Sequence, residues 1–348
     1  MFKSNLNLTK SIGIDLGTAT VLVYSQQSRG IIIAEPSVVA IDSNTDRIVK
    51  VGKEAQEMLG RTPDNIKAIR PLKDGVINRY EVTFKMLQYF IRKACGGRTF
   101  FPPKVVICVP SEITEVEERA VRDAAMEGGA DKVDLIEEPL AAAIGAGLEI
   151  GEPCGNMVVD IGGGTTDIAV VSLGGIVVSD SIKVAGDKFD DAIMRYVRRK
   201  YGILIGERSA EEIKKKIGAV YEHRNPKYVE VKGRCLSDGL PKVVTISSLE
   251  MIEAMVEPIT AILDAVCSVI ERTPPALLDD ILKNGIVMTG GGSLIPGFSR
   301  LMEKATGIKT RVADDPVSCV ALGTGISLEH PEYFYYTSKS FNSKNSKR

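Results

Sequence analysis

Met157-Val158-Val159-Asp160-Ile161-Gly162-Gly163-Gly164-Thr165-Thr166-Asp167 carries an apolar run through one aspartate into a Gly/Thr-rich turn, and Ile168-Ala169-Val170-Val171 resumes the apolar run beyond it. Short apolar runs broken by a glycine cluster predict two buried strands joined by a tight turn. The same arrangement occurs earlier, in Ser11-Ile12-Gly13-Ile14-Asp15-Leu16-Gly17-Thr18-Ala19-Thr20 followed by Val21-Leu22-Val23-Tyr24. Asp15 and Asp160 are 145 residues apart, too long a period for a solenoid. The pattern predicts a duplicated domain, each half carrying one such hairpin.

A turn of glycine with threonine lets backbone N–H and hydroxyl groups approach phosphate oxygens with no side chain in the way. An adjacent aspartate repels phosphate unless a divalent cation and its waters stand between them. Two such turns facing one another would hold the β- and γ-phosphates of a nucleotide, with Asp15 and Asp160 both reaching the metal's water shell. The alternative, glycines that only supply positive φ, suits a single hairpin better than two matching copies. Other nucleotide motifs fail: Gly52-Lys53 is followed by Glu54, so there is no Walker loop, and no GxGxxG lies between a strand and a helix. Neither His223 nor His330 lies near a nucleophile elbow.

The chain of 348 residues favours two domains over one, and 44% hydrophobic with 26% charged residues is the mix of a folded protein with a core. Lys plus Arg is 44 against 45 for Asp plus Glu, and aromatics are 5% with no Trp, so neither the basic excess nor the stacking platforms of a nucleic-acid binder are present. Six cysteines without a CxxC pair, and two histidines, argue against a zinc site and for reduced thiols in a cytosol. Met1 to Lys10 is polar, and no apolar stretch nears the roughly 18 residues of a spanning helix. The expected location is cytoplasmic, with any membrane contact peripheral.

Between and beyond the hairpins, Val105 to Val109 predicts a buried strand and Ser111 to Gly128 a helix with early acids. Ile136-Glu137-Glu138-Pro139 predicts a strand end running into an Ala-rich helix with proline in its first turn. Ala185 to Asp190 opens a helix through Tyr201, and Glu207 to Gly218 forms another with Glu207, Glu211 and Lys214 on one face. Residues 222–243 read as an irregular or β insertion, and helices are predicted over Ser247 to Glu271 and Pro275 to Lys283. Ile286 to Thr289 reads as a strand leading through Gly290-Gly291-Gly292-Ser293 to a helix near Pro296.

Asp15-Leu16-Gly17-Thr18, Glu138-Pro139, Asp160-Ile161-Gly162-Gly163-Gly164-Thr165-Thr166 and Thr289-Gly290-Gly291-Gly292 occur in the order used by the actin/DnaK-chaperone/sugar-kinase superfamily. They resemble its first phosphate, connecting, second phosphate and adenosine motifs. Gly60-Arg61-Thr62-Pro63, Arg70 to Ile77 and Pro296-Gly297-Phe298 narrow the resemblance to the bacterial actins of the MreB/Mbl group, over residues 11–336. One departure is Thr20, where the group often carries asparagine.

The resemblance implies an α/β, actin-like (ribonuclease H-like) duplicated fold with two lobes around a nucleotide cleft. Residues 1–32, 76–145 and 319–336 would form the core of lobe I and 33–75 its small subdomain. Residues 146–180 and 243–318 would form the core of lobe II and 181–242 its small subdomain, with 337–348 a disordered tail. It implies an ATPase that binds ATP with Mg2+. Gly17, Thr18 and Ala19 would contact phosphate from one lobe and Gly162, Gly163, Gly164, Thr165 and Thr166 from the other. Asp15 and Asp160 would hold magnesium through water, and Glu138, assisted by Thr165, would position the attacking water. Gly186 and Asp187 would complete the phosphate rim, Glu207, Glu211 and Lys214 would edge the ribose and base, and Gly290, Gly291, Gly292 and Ser293 would line the adenosine. By spacing alone, Glu207, Glu211 and Lys214 also suit a solvated helix face.

The same chassis serves kinases, chaperones and filaments, so the fold alone does not select among them. No motif supplies a sugar pocket, and the given chain ends at 348 without a β-rich peptide-binding domain. The resemblance therefore implies an actin-like filament protein: self-association into polar or antiparallel paired protofilaments, and rod shape kept by organising lateral peptidoglycan synthesis with the cell-wall elongation machinery. Phe100-Phe101 in a Gly/Pro loop matches the group's membrane-inserting position on the inner face of the cytoplasmic membrane; the alternative is a loop whose rings fold back onto the core.

Overall fold

Strand alternation and glycine turns are realised first in β1 (Ser11–Leu16), β2 (Thr20–Ser25) and β3 (Gly30–Pro36), an antiparallel meander. The structure, a computed structural model, describes residues 10–73, 75–97, 102–111, 113–222 and 224–330. A small sheet follows with β4 (Val39–Asp42) between β5 (Ile48–Val51) and β6 (Ile66–Ile69), and α1 (Lys53–Glu57) lies between the last two in sequence. The short ladder β7 (Leu72–Lys73) and β8 (Val76–Ile77) leads to α2 (Tyr80–Ala94), β9 (Lys104–Val109), α3 (Glu115–Glu127), β10 (Lys132–Glu137) and α4 (Glu138–Gly145). β9 joins β1 in parallel and β10 joins β9, giving the order β10-β9-β1-β2-β3.

The second lobe repeats this plan. β11 (Asn156–Ile161), β12 (Thr166–Ser172) and β13 (Gly175–Ile182) form the meander. After α5 (Gly186–Tyr201) comes a small sheet of β14 (Ile203–Leu204), β15 (Tyr228–Cys235) and β16 (Pro241–Ser247), with α6 (Glu207–Ile217) inserted after β14. Then come α7 (Ser248–Ala254), α8 (Val256–Arg272), α9 (Pro275–Asn284), β17 (Ile286–Thr289), a 3-10 turn (Gly291–Leu294), α10 (Phe298–Thr306), β18 (Thr310–Val312) and α11 (Cys319–Ser327). The sheet order is β13-β12-β11-β17-β18, the same sequence of neighbours and directions as in the first lobe. The 145-residue offset holds through the whole hairpin: Leu16 faces Val21 and Ile161 faces Thr166.

Each sheet buries one face under its own helices. Met86, Leu87 and Phe90 of α2 are fully buried against the first sheet, and Phe189, Ile193 and Val197 of α5, at helical spacing, against the second. Between the sheets lie α4 and α11. Leu140, Ala141, Ala142 and Ala143 pack with Val106 and Ile136 of one sheet and Val158, Ala169 and Val171 of the other. The small side chains let these two helices meet backbone to backbone.

Two helix boundaries differ from the expectation. The helix expected from Ser111 starts at Glu115, because Thr114 and Glu117 form a capping box: Thr114 Oγ1 accepts from Glu117 N at 3.3 Å and the Glu117 carboxylate from Thr114 N at 2.9 Å. The helix expected over Ser247 to Glu271 is two helices that break at Met255. Pro258 has no N–H to donate, and its ring opposes the carbonyl of Ala254, four residues earlier. Residues expected to be irregular or β around 222–243 form the β15–β16 hairpin. All six cysteines are unpaired, and among the described residues no helix is long and apolar enough to cross a membrane.

Candidate functional site

The two glycine turns meet across the cleft. A Cβ on Gly163 would stand 2.7 Å from Ala19 Cβ and 3.1 Å from Ala19 N, so only glycine lets the turns approach this closely. Gly75, with φ +76°, sits between them: its N–H donates to Thr18 Oγ1 at 3.1 Å, and a Cβ there would lie 2.6 Å from Thr165 Cγ2. Thr18 Oγ1 accepts that bond, which leaves its own proton to donate elsewhere.

Five acids converge behind these turns. Asp15, at the end of β1, accepts the Cys108 thiol at 3.3 Å, and burial pushes its carboxyl up to about 6. Asp160 accepts the Thr289 hydroxyl at 2.7 Å, and burial raises it to about 7 against that bond. Glu138 opens α4; burial, and then the charges of Asp167, Asp15 and Asp160, hold its carboxyl well above the usual range. Glu137 is raised to about 7 by burial and by Asp167, and burial raises Asp167 itself. Among the described residues no lysine or arginine forms an ion pair with any of the five. Concentrated carboxylates beside glycine turns have the chemistry to accept phosphate together with a cation.

The rim is built by α5 and α6. Gly186 N and Asp187 N donate to Gly162 O and Gly163 O at 3.2 and 2.8 Å, tying the start of α5 to the second turn. Asp187 Oδ1 pairs across the cleft with Arg70 Nη1 at 3.1 Å. Burial pushes the Asp187 carboxyl up, while Arg70 pulls it down. Lys214, expected at the ribose and base edge, has its ammonium on Gly186 O and Asp190 Oδ2, both at 2.8 Å. Glu207 is exposed at the start of α6, and Glu211 pairs with Lys215 at 2.6 Å.

The β11–β17 ladder sets Asp160 beside Thr289 and so brings the Gly290–Ser293 turn to the same cleft. A Cβ on Gly290 or Gly292 would overlap Ile161, whereas Gly291 is exposed. Ser293 Oγ donates to Gly290 O at 2.6 Å and so shapes the turn. Phe100 and Phe101, like the tail 337–348, lie outside the described residues. Glu137, Asp167, Gly75 and Arg70 all lie in stretches quoted from the sequence, but the motifs assign them no role in the site. Asp167 did leave a signal: it is an acid at the strand position where the first copy carries Leu22.

The MreB/Mbl protein family model matches residues 9–335. The chain belongs to the MreB/Mbl family. It is 50% identical to the cell shape-determining protein Mbl of Bacillus subtilis over 321 residues, covering 92% of this chain and 96% of that one. Identity to the cell shape-determining protein MreB of Escherichia coli K12 is also 50%, over 326 residues, 92% of this chain and 94% of the other. Among solved structures, MreB5 of Spiroplasma citri bound to AMPPNP superposes with a TM-score of 0.89 at 38% identity, over 95% of this chain and 99% of that one. The ADP-bound form of that protein gives 0.88 at 39% identity, over 93% and 97%. A MamK double helical filament shares the fold, with a TM-score of 0.78 at 22% identity over 92% and 99%. This MreB/Mbl chain therefore has the actin-like nucleotide-binding fold, two sheet-containing lobes around one cleft.

Proposed function

We propose that this MreB/Mbl chain is an ATPase that assembles with copies of itself into filaments on the inner face of the cytoplasmic membrane, and that it maintains rod shape by organising lateral peptidoglycan synthesis. The observation that carries the ATPase reading is the meeting of two glycine turns, Gly163 against Ala19, directly in front of Asp15, Asp160 and Glu138. Gly17 to Ala19 and Gly162 to Thr166 cradle the phosphates, Gly186 and Asp187 close the rim, Glu207, Glu211 and Lys214 edge the ribose and base, and Gly290 to Ser293 line the adenosine. Glu138, assisted by Thr165, orients the attacking water and accepts its proton.

The donor set fits magnesium. Among the described residues no three acid, thiol or imidazole groups stand close enough to share a metal directly. Asp15 and Asp160 would therefore reach it through its waters, the mode this reluctantly dehydrated ion favours. When bound, it neutralises charge on the phosphates. AMPPNP- and ADP-bound relatives support nucleotide binding, and a filament-forming neighbour supports self-association. Filament formation would multiply a modest membrane affinity per subunit, which we assign to Phe100 and Phe101.

Electron microscopy of the purified chain with Mg-ATP on lipid monolayers, with phosphate release measured in parallel, tests this reading. Filaments lying on lipid are expected, and Glu138→Ala is expected to slow phosphate release by about 100-fold or more. Monomers that hydrolyse ATP without assembling would overturn the filament reading and leave the ATPase intact.

A further inference from the structure

Asp15 and Asp160 each lean on a side chain of the strand that runs parallel to their own. In the second lobe Asp160 of β11 stands opposite Thr289 of β17, and the Thr289 hydroxyl donates to Asp160 Oδ1 at 2.7 Å. In the first lobe Ile14 of β1 stands opposite Ile107 of β9. The next residues along, Asp15 and Cys108, are therefore neighbours too, and the Cys108 thiol donates to Asp15 Oδ1 at 3.3 Å. Both donors are buried where their strands are otherwise apolar: Thr289 follows Ile286-Val287-Met288, and Cys108 lies between Ile107 and Val109. A hydroxyl buried in such a strand costs free energy unless it is bonded, and here its partner is the carboxylate. The donors differ in strength, because a hydroxyl on a carboxylate at 2.7 Å is a short, charge-assisted bond and a thiol is a weak donor. The two lobes share the position and differ in the donor.

We infer that Thr289 and Cys108 are positioning residues for the metal, each fixing the plane of its aspartate so that the other carboxylate oxygen faces the water shell, and that the second lobe holds that shell the more firmly. This inference rests on the Mg-ATP reading above. A carboxylate with one oxygen tied keeps one orientation; untied, it turns about its Cβ–Cγ bond, a torsion with only a broad preference of its own, and its acceptor directions spread. Hydrogen bonds of this kind set metal affinity through orientation, although their donors never touch the ion. The effect suits an ion that keeps its waters, since each water must find a carboxylate oxygen already in place.

Affinity of the full chain for a fluorescent ATP analogue, titrated with Mg2+ and repeated in EDTA, is the test. Thr289→Val keeps the branched shape and removes the donor. It is expected to raise the Mg2+ concentration needed for half-maximal tightening by about ten-fold or more, with the metal-free affinity within about two-fold. Thr289→Ser keeps the hydroxyl and loses a methyl group, and is expected to stay within about two-fold of the parental requirement. Thr289→Cys, which installs the donor of the first lobe, is expected to fall between those two variants, and Cys108→Ala to raise the requirement less than Thr289→Val. This order separates orientation from packing, since lost volume alone would make Thr289→Ser and Thr289→Cys worse than Thr289→Val. The packing order would overturn the inference, as would a parental Mg2+ requirement in Thr289→Val or a loss of equal size in EDTA. A parental chain that binds the analogue equally in Mg2+ and in EDTA would instead overturn the magnesium reading, and this inference with it.

Discussion

Glu137 shows how burial beside another acid makes a carboxyl group sensitive to pH. It ends β10 and precedes α4, where burial and the neighbouring charge of Asp167 raise it to about 7. In the unfolded chain the same group releases its proton near 4.5. Between these values the folded state keeps a proton that the unfolded state has lost, so folding binds protons and stability falls as pH rises through the window. The contribution is complete below the lower value and lost above the higher one. Replacement by a neutral side chain should then help only on the alkaline side. Glu137→Gln is expected to stabilise the nucleotide-free chain at pH 8 by on the order of 2 kcal/mol, after allowing for the group's partial exposure, and to leave it unchanged at pH 4.5. Urea unfolding at the two pH values measures this, and an equal effect at both would refute the burial account. Asp15 and Asp160 are raised by burial in the same sense, so they too favour folding at mildly acid pH.

The crossing of α4 and α11 is the element on which both lobes rest, and it depends on glycine. A Cβ on Gly323 would overlap the Ala141 carbonyl, and one on Gly145 would overlap the Cys319 carbonyl. In an ordinary helix interior Gly→Ala stabilises by about 1 kcal/mol. Here the clash is with backbone, which cannot yield by a rotamer change, so Gly323→Ala should instead destabilise by about 3 kcal/mol, the upper end of overpacking costs. Denaturant unfolding decides between the two signs. Neither glycine announces itself in the sequence, because close approach between helices far apart in the chain leaves no local period. The hairpins were legible for the opposite reason: alternation, acid and turn residues lie within a dozen positions and occur twice at one offset. Pro258 was legible in principle, yet its effect at Met255 was hidden inside an otherwise continuous apolar pattern. Asp167 was legible in principle too, an acid between Thr166 and Ile168 at the strand position that carries Leu22 in the first copy.

At the scale of the whole molecule, the duplicated lobes touch at the cleft through a short set of contacts: Gly163 with Ala19, Gly75 with Thr165, Ser111 with Asp167, and Arg70 with Asp187. The first three lie at the turns and would be lost only with the site itself. Arg70 and Asp187 differ, because they bridge the lobes at the rim with side chains 26% and 34% exposed. Such a pair is worth about 0.5–1 kcal/mol, less than a buried one because water screens it. That small energy acts in one direction, favouring the closed cleft over the open one, and a bound nucleotide leaves only through the open state. Arg70→Ala should therefore speed nucleotide release by roughly two- to five-fold, the factor that 0.5–1 kcal/mol supplies. Asp187→Asn, which keeps the fork's acceptor and loses only the charge, should produce a smaller change, and the double variant should add nothing beyond Arg70→Ala. Stopped-flow displacement of a fluorescent ATP analogue measures all three. Additive effects in the double variant would mean that the two residues act on the nucleotide separately rather than as one clasp between the lobes.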